Sequence, residues 1–301
     1  MQNQSVSPAP FGRVLTAMVT PLDDNGGLDH AAAAQLAVDL VDLGNDGLVL
    51  NGTTGESPTT SDAEKAALIR TVVDAVQGRA VVVAGTGTND TAHSIELSQQ
   101  AVAAGADGLL LVTPYYNKPS QDGLIAHFRA VADATSAPVM LYDIPGRSAV
   151  ALRTETLLRL AEHPRIVANK DAKGDPFAAQ RVMSQSALVY YSGDDALNLP
   201  LLSVGASGFV SVVGHLVADR LAAMFAAYSS GDVAAAREIS DSMVPIIVGV
   251  MTRAQGAVMV KAALDLLGRV GGGGLRLPLL AADPGQREQL LLDLKAGGFD
   301  L

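Results

Sequence analysis

A lysine ends one of the apolar segments of this chain, and its position suggests covalent chemistry. Lys170 follows residues 166–169, which have the composition of a buried strand. Burial disfavours the charged ammonium group, lowers its pKa and leaves more neutral amine to attack a carbonyl carbon. Alternatively, Lys170 pairs with Asp171 or extends its ammonium group into solvent, and its position alone leaves these interpretations open.

Hydroxyl side chains follow other apolar segments and could move protons in such a reaction. Tyr142 ends the apolar segment at 139–142, which directly precedes the segment that ends at Lys170. Thr54 follows the apolar segment at 47–50, and Tyr116 follows the one at 108–112. Formation of an imine requires several proton transfers, and a phenol within hydrogen-bonding distance can relay them. Each tyrosine alone could be a half-buried aromatic residue with a satisfied hydroxyl group. Their common placement at expected strand ends favours the relay.

Two further features could bind carboxylate groups. Residues 52–55 read Gly-Thr-Thr-Gly, where glycines allow close approach of a ligand and consecutive N–H groups, including that of Thr53, can bind an anion. Arg147 follows Pro145 and Gly146, and its planar guanidinium group could bind a second carboxylate with two hydrogen bonds. An ordinary strand-to-helix turn and a surface arginine are the alternatives.

The composition argues against several other classes of function. Cysteine is absent, which excludes disulfides and thiolate catalysis. The five histidines are scattered without an HxxxH pattern, and Asp194-Asp195 lacks a third ligand at a matching spacing, so we expect no metal and interpret the pair as a helix N-cap. A net charge of −10 at pH 7 argues against binding to nucleic acid or to anionic membranes.

The elements that must position these side chains are eight short apolar segments separated by Ala-rich amphipathic stretches. We expect strands at 14–19, 47–50, 80–84, 108–112, 139–142, 166–170, 188–192 and 208–212. We expect helices near 29–43, 61–77, 89–104, 120–135, 153–162, 175–185, 194–204 and 215–229. Nearly continuous apolar strands that alternate with helices predict a (β/α)8 TIM barrel, an α/β fold in which the polar strand ends share one mouth. An open doubly wound sheet is the alternative, but the first strand is not followed by GxGxxG.

The chain divides into three predicted parts. Residues 1–10 form a disordered tail, 11–230 the catalytic barrel and 231–301 a helical appendix with helices near 231–253, 256–268 and 284–297. The amino terminus lacks the charged and apolar regions of a signal peptide, and no apolar run approaches about 18 residues. These features predict a cytoplasmic enzyme.

With these motifs the chain resembles the dihydrodipicolinate synthase / N-acetylneuraminate lyase superfamily of class I aldolases. The resemblance covers residues from about 11 to the C-terminal helices. It is carried by GTTGES at 52–57, TPYYNKPSQDGLIAHF at 113–128, LYDIPGR at 141–147, KDAKGD at 170–175 and SGDDA at 192–196. GTTGES alone marks the superfamily, and its combination with YYNKPS and the PGR arginine is typical of the synthase branch.

The resemblance implies a pyruvate-dependent lyase without a separate cofactor. Lys170 would form a covalent imine with pyruvate, whose carboxylate would bind Thr53 and Thr54, while Gly193 and Val210 would line the pyruvate pocket. The enamine would condense with L-aspartate 4-semialdehyde, and the product would be 4-hydroxy-tetrahydrodipicolinate, the first committed intermediate toward diaminopimelate and lysine.

The resemblance also implies a proton relay and an oligomer. Tyr142, Thr54 and Tyr116 would form the relay, with Tyr116 reaching in from a neighbouring subunit of a dimer that usually forms a homotetramer. Arg147 would bind the carboxylate of the second substrate.

Some members of this superfamily are inhibited by lysine at a dimer interface, through histidines and a glutamate. This chain has Asp62, Lys65 and His93 at the corresponding positions, whereas Asn89 and Tyr115 remain. A cation at 65 and a missing acid at 93 predict weak or absent inhibition.

Two other functions stay open at this stage. One is a pyruvate aldolase acting on a 2-keto-3-deoxy sugar acid or N-acetylneuraminate, which would need neutral hydroxyl-binding groups in place of Arg147. The other is an inactive barrel that serves as a regulator or scaffold, which we would expect to lose Lys170 or the tyrosines.

Overall fold

The computed structural model describes residues 9–301. The predicted disordered tail, apart from residues 9 and 10, lies outside the described residues. Pro10 pairs with Gly12 in an isolated bridge just before the first strand.

Eight parallel strands pair in chain order and close into a barrel, with the last strand beside the first. This confirms the predicted TIM barrel. The strands are β1 (Val14–Ala17), β2 (Gly47–Leu50), β3 (Val81–Gly85), β4 (Gly108–Val112), β5 (Val139–Asp143), β6 (Ile166–Asp171), β7 (Val189–Ser192) and β8 (Gly208–Ser211). The largest difference from the expected bounds is in β1, which ends two residues early, since residues 18 and 19 belong to the loop that follows.

Helices follow the strands as expected and continue beyond the barrel. The helices are α1 (His30–Asp42), α2 (Asp62–Val76), α3 (Thr91–Ala103), α4 (Gln121–Asp133), α5 (Pro145–Ser148), α6 (Thr154–Ala161), α7 (Pro176–Met183), α8 (Asn198–Ser203), α9 (Gly214–Ser229), α10 (Val233–Ile247), α11 (Gly256–Leu266) and α12 (Pro284–Ala296). The sequence did not predict the four-residue α5, which carries Arg147. Ser61 and Glu64 form a capping box that fixes the start of α2.

The buried side chains form two layers separated by the strands. An outer layer of mainly Ala, Val and Leu packs between strands and helices. An inner cluster fills the barrel and includes Phe11, Leu15, Met140 and Tyr191. The Tyr191 hydroxyl donates to the carbonyl oxygen of Gly12 over 2.9 Å, below the first strand. The amino-terminal end of the barrel is therefore filled, and open space is left at the opposite end.

The three predicted C-terminal helical stretches correspond to α10, α11 and α12. A π-helical turn, Val248–Thr252, joins α10 to the loop before α11. Among residues 9–301, no single helix has both the length and the apolar composition of a membrane span. The pair Val233–Thr252 and Gly256–Leu266 meets both criteria only when its two helices are counted together, and the chain bends by 119° between them.

Candidate active site

A cavity of about 500 Å³ opens at the carboxyl ends of the strands. The barrel residues that line it include Gly52, Thr53, Thr54, Leu110, Tyr142, Ile144, Arg147, Lys170, Gly193, Asp194 and Val212. Every strand-end motif that the sequence singled out contributes to it or to the adjoining hollow, except for Tyr116.

Lys170 lies at the closed end of this cavity. Strand β6 sets its position, in register with Tyr142 on β5 and Tyr191 on β7. Its side chain is buried, and Nζ lies 4.1 Å from the centroid of the Tyr142 ring. Burial lowers the pKa of Lys170 to about 8, opposed by the charge of Asp195 and assisted by that of Arg147. A far larger fraction of this amine than of an ordinary lysine is therefore neutral and nucleophilic near neutral pH.

Gly193 leaves the space that the lysine side chain occupies. A Cβ atom at this position would lie 2.7 Å from Cγ and 2.8 Å from Cε of Lys170. Any side chain at residue 193 would displace the amine, so a glycine is required beside Lys170. The residue lines the cavity, and its place in a pyruvate pocket, which the resemblance implied, stays a prediction.

Tyr142 places its phenol against both Lys170 and the threonine loop. Burial raises the pKa of Tyr142 to about 12, and a hydrogen bond with the side chain of Thr53 partly opposes this shift. The phenol therefore stays protonated and can donate a proton near neutral pH. The pKa of Tyr142 thus indicates Thr53 beside its hydroxyl group, and the role of Thr54 in the relay stays a prediction.

The loop at 52–55 is shaped by left-handed backbone on both of its sides. It is flanked by two non-glycine residues in the left-handed region, Asn51 with φ 57° and Glu56 with φ 55°. Within residues 9–301, the backbone N–H groups of Thr53 and Thr54 have no hydrogen-bond acceptor. Since both residues line the cavity, these N–H groups are free to bind a carboxylate there.

Arg147 stands at the rim of the cavity. Helix α5 begins at Pro145 and ends where Ala149 turns into the left-handed conformation, so the arginine projects from a short, fixed turn. Its side chain is exposed, and no described carboxylate lies within salt-bridge distance of it. The guanidinium group is therefore available for an anionic ligand.

Tyr116 does not reach the cavity of its own chain. It is 89% exposed and has a φ of 73°, an uncommon conformation for a bulky residue. Its neighbour Tyr115 lines a second hollow of about 220 Å³ that adjoins the main cavity at Thr53, Tyr142 and Arg147. A single chain thus holds two members of the expected relay and leaves the third outside.

Val210 lies below the cavity, among the buried side chains of the inner cluster. It is not among the lining residues, and Val212 lines the wall two residues further along. Gly193 thus lies where the resemblance implied, and Val210 lies one layer deeper.

One wall of the cavity comes from residues that the sequence analysis did not consider. Ile247, Met251, Thr252, Gln255, Gly256 and Ala257 line it, and all belong to the π-helical turn and its neighbours. The only sequence signal was the high apolarity of residues 243–251, which indicates burial and carries no information about a site. π-helical turns are frequent at functional sites.

The aspartate pair after β7 has two separate roles. The Asp194 side chain accepts from the N–H group of Ala196, which is the predicted N-cap. Asp195 is buried and accepts from the N–H groups of Val212 and Val213, 2.8 and 3.0 Å away. It therefore fixes the loop after β8 and places a carboxylate near Lys170.

This chain is similar to known proteins over nearly its whole length. A model described as the Dihydrodipicolinate synthetase family matches residues 10–297. A Streptomyces coelicolor protein named 4-hydroxy-tetrahydrodipicolinate synthase 2 is 61% identical over 301 residues, which is 100% of both chains. The 4-hydroxy-tetrahydrodipicolinate synthase of Kineococcus radiotolerans is 58% identical over 96% of this chain and 94% of that protein.

Solved structures show the same fold. A dihydrodipicolinate synthase from Bacillus anthracis superposes with a TM-score of 0.92 at 42% identity, covering 95% of this chain and 98% of that one. The DHDPS of Cyanidioschyzon merolae, solved with lysine bound, superposes with a TM-score of 0.94 at 40% identity, covering 97% and 99%.

Proposed function

This chain belongs to the dihydrodipicolinate synthetase family, and on that premise we propose that it condenses pyruvate with L-aspartate 4-semialdehyde to 4-hydroxy-tetrahydrodipicolinate. The observation that carries the proposal is the buried amine of Lys170 beside the Tyr142 phenol, below a rim that presents Arg147. Relatives at 53–61% identity that bear the name of this synthase support it.

The reaction begins with a covalent bond to pyruvate. The neutral amine of Lys170 attacks the ketone carbon, and the resulting carbinolamine loses water to form an imine. Loss of a methyl proton gives the enamine, which attacks the aldehyde carbon of the second substrate. The amino group of that substrate then displaces Lys170 from the imine carbon and closes the ring. No separate cofactor is needed, since the protonated imine accepts the electrons.

The residues around Lys170 supply binding and proton transfer. The free N–H groups of Thr53 and Thr54 bind the pyruvate carboxylate. The Tyr142 phenol donates to the carbinolamine oxygen and exchanges its proton through Thr53, whose side chain is its hydrogen-bond partner. Arg147 binds the carboxylate of the aldehyde substrate at the rim.

Assembly of the complete site requires a second chain. Tyr116 is exposed in its own subunit, in a conformation with positive φ that needs external contacts to be held. In the proposed homotetramer, a dimer of dimers, each Tyr116 enters the neighbouring subunit's site and completes the relay. The proposed compartment is the cytoplasm.

A coupled assay tests the choice of acceptor. The protein is expected to consume pyruvate with aspartate semialdehyde and to leave sugar acids and N-acetylneuraminate uncleaved. Trapping with pyruvate and borohydride checks the first step independently, because reduction of the imine leaves a stable adduct. An adduct combined with sugar-acid cleavage would identify a sugar-acid aldolase. Absence of the adduct would exclude both the synthase and the sugar-acid aldolase.

The rate of imine formation is expected to rise with pH and to level off above about pH 8. The nucleophile is the neutral amine, which is present above the lowered pKa of Lys170, about 8, and is lost as pH falls through it. Single-turnover trapping with pyruvate and borohydride over a pH series measures this midpoint. A midpoint near 10.5, the ordinary value for lysine, would contradict desolvation of the amine.

Replacing Arg147 with alanine is expected to raise the KM for aspartate semialdehyde and to lower kcat, while imine formation with pyruvate survives. Loss of one charged contact to a carboxylate costs about 2–5 kcal/mol of binding. The two steps are measured separately, by steady-state kinetics and by borohydride trapping. Loss of the adduct in this variant would show that Arg147 maintains the pyruvate end of the site.

We expect L-lysine to inhibit this enzyme weakly or not at all. His93 Nε2 lies 2.8 Å from Asp62 Oδ2, so the Asp62 carboxylate is already paired. The buried ammonium group of Lys65 donates to the carbonyl oxygen of Thr60 and lies beside the same carboxylate. An ammonium ligand would meet like charge. Initial rates in increasing L-lysine test this, with the Cyanidioschyzon merolae protein as the comparison. An inhibition constant in the low micromolar range would overturn it.

A further inference from the structure

The threonine loop is held from outside the barrel by a buried ion pair. Glu56 ends the loop, and Lys261 lies on α11, 205 residues further along the chain. Lys261 Nζ lies 2.6 Å from Glu56 Oε1, and both side chains are 2% exposed. A pair so completely removed from water is costly to form, so its geometry must be well satisfied.

The remaining hydrogen-bonding capacity of this pair is used by the segment between α11 and α12. Lys261 Nζ also donates to the carbonyl oxygen of Gly274 over 2.6 Å. The backbone N–H of Arg276 donates to Glu56 Oε2 over 3.0 Å. Each carboxylate oxygen of Glu56 therefore has a donor from the C-terminal part of the chain, and its position is set by that part.

Arg276 holds the turn that follows Glu56. Its guanidinium group donates to the carbonyl oxygen of Thr59 over 2.7 Å and to Glu64 Oε2 over 3.0 Å. It also donates to the carbonyl oxygen of Gly26 over 2.7 Å. One C-terminal segment thus contacts the chain at residue 56, where the loop ends, and again at residue 59.

The backbone of Glu56 is hydrogen-bonded directly to Thr53. Its N–H group donates to the carbonyl oxygen of Thr53 over 3.2 Å, and its own carbonyl oxygen accepts from the hydroxyl of Thr60 over 2.9 Å. Glu56 has a φ of 55°, which a non-glycine residue keeps only where its surroundings impose it. If its carboxylate lost its partners, the backbone could relax and the N–H groups at 53 and 54 would turn away from the cavity.

We propose that Lys261 is a positioning residue, which acts through Glu56 to hold Thr53 and Thr54 in the orientation that binds the carboxylate of pyruvate. The inference rests on the proposed role of those threonines in binding pyruvate. It assigns the C-terminal helices a function in the first step of the reaction, in addition to forming a wall of the cavity.

Two variants separate positioning from general stability. Lys261→Met alone leaves the charge of Glu56 buried without a partner, which destabilises the protein whatever the role of the pair. Two double variants, Lys261→Met with Glu56→Gln and Lys261→Leu with Glu56→Gln, bury neither charge, and both keep an oxygen for the N–H of Arg276. Glu56→Gln alone would leave the ammonium group of Lys261 buried without a counter-charge. Lys295→Met, at an exposed position on α12, is the matched control for a lysine replaced by methionine.

For both variants we expect a folded protein with a raised KM for pyruvate and a rate of borohydride-trapped adduct formation reduced roughly 10- to 100-fold, as a displacement of about 1 Å in a binding group can cause. The KM for aspartate semialdehyde should change little. The amide hydrogens of Glu56 and Ser57, which bond to the carbonyl oxygens of Thr53 and Gly52, should exchange faster. Lys295→Met should match the wild type. A loss of stability alone would lower the active fraction and kcat and would leave the pyruvate KM unchanged.

Wild-type pyruvate kinetics in both folded variants would overturn the positioning role and leave the proposed function intact. Absence of an adduct in the wild-type protein would overturn both proposals together. Unchanged hydrogen exchange at Glu56 and Ser57 would also contradict the positioning role, even in a variant too weakly active for kinetics.

Discussion

Replacement of Lys170 by methionine is expected to abolish condensation and to leave the fold intact. Without the amine no imine forms, and removal of a covalent nucleophile costs at least about 10⁴-fold in turnover. Methionine is unbranched and apolar, so it can occupy the space beside Gly193 without burying a charge. Turnover with both substrates, the mass of the protein after pyruvate and borohydride, and the melting temperature are measured together.

A second lysine three residues further on provides an internal check. Lys173 Nζ lies 3.5 Å from Asp143 Oδ2 in an ion pair, and Lys173 is not among the residues that line the cavity. Peptide mapping of the wild-type adduct should therefore locate it at Lys170 alone. An adduct that persists in Lys170→Met and maps to Lys173 would move the nucleophile to the other lysine.

Tyr142→Phe is expected to lower the rate of imine formation and kcat by about 10²- to 10⁴-fold, the range for loss of a positioned acid–base group. Phenylalanine keeps the ring that lies 4.1 Å from Lys170 Nζ and removes only the hydroxyl group that reaches Thr53. The expected loss therefore belongs to proton transfer. Rapid-quench trapping of the pyruvate adduct and steady-state kinetics measure it.

Tyr191→Phe is the matched control for that variant. Tyr191 is in register with Lys170 on the opposite neighbouring strand, but its hydroxyl group bonds to Gly12 at the filled end of the barrel. We expect it to lose about 1–3 kcal/mol of stability with its two hydrogen bonds, to the N–H of Phe11 and the carbonyl oxygen of Gly12, and to retain the wild-type rate of imine formation. If both variants slowed the reaction equally, packing of the barrel would explain the loss and a specific relay would not.

The pattern of the sequence determined the barrel and most of its catalytic end. Strands buried on both faces are continuously apolar, and short connections leave few ways to arrange eight βα units. The polar residue that ends each strand then faces the common mouth, so Lys170 and Tyr142 could be placed there before the structure was known. This inference uses only local periodicity and the closure of the barrel, and both are visible in one chain.

Tertiary structure alone decided which of two adjacent threonines touches Tyr142. The left-handed backbone at residues 51 and 56 sets the direction of the side chains between them, and residue types do not reveal that direction. In this loop it is Thr53 that lies beside the phenol of Tyr142. Exposure of Tyr116 was likewise decided by the backbone conformation of its loop.

The contribution of the C-terminal helices was also decided only by the tertiary structure. Lys261 and Glu56 are 205 residues apart, and neither belongs to a spacing pattern that would connect them. Contacts of this kind depend on how the helices dock against the barrel after its strands have closed. The sequence therefore determined which groups the site contains, because chemistry and strand ends are local properties. Folding decided how those groups are held, because the ion pair that holds them joins distant parts of the chain.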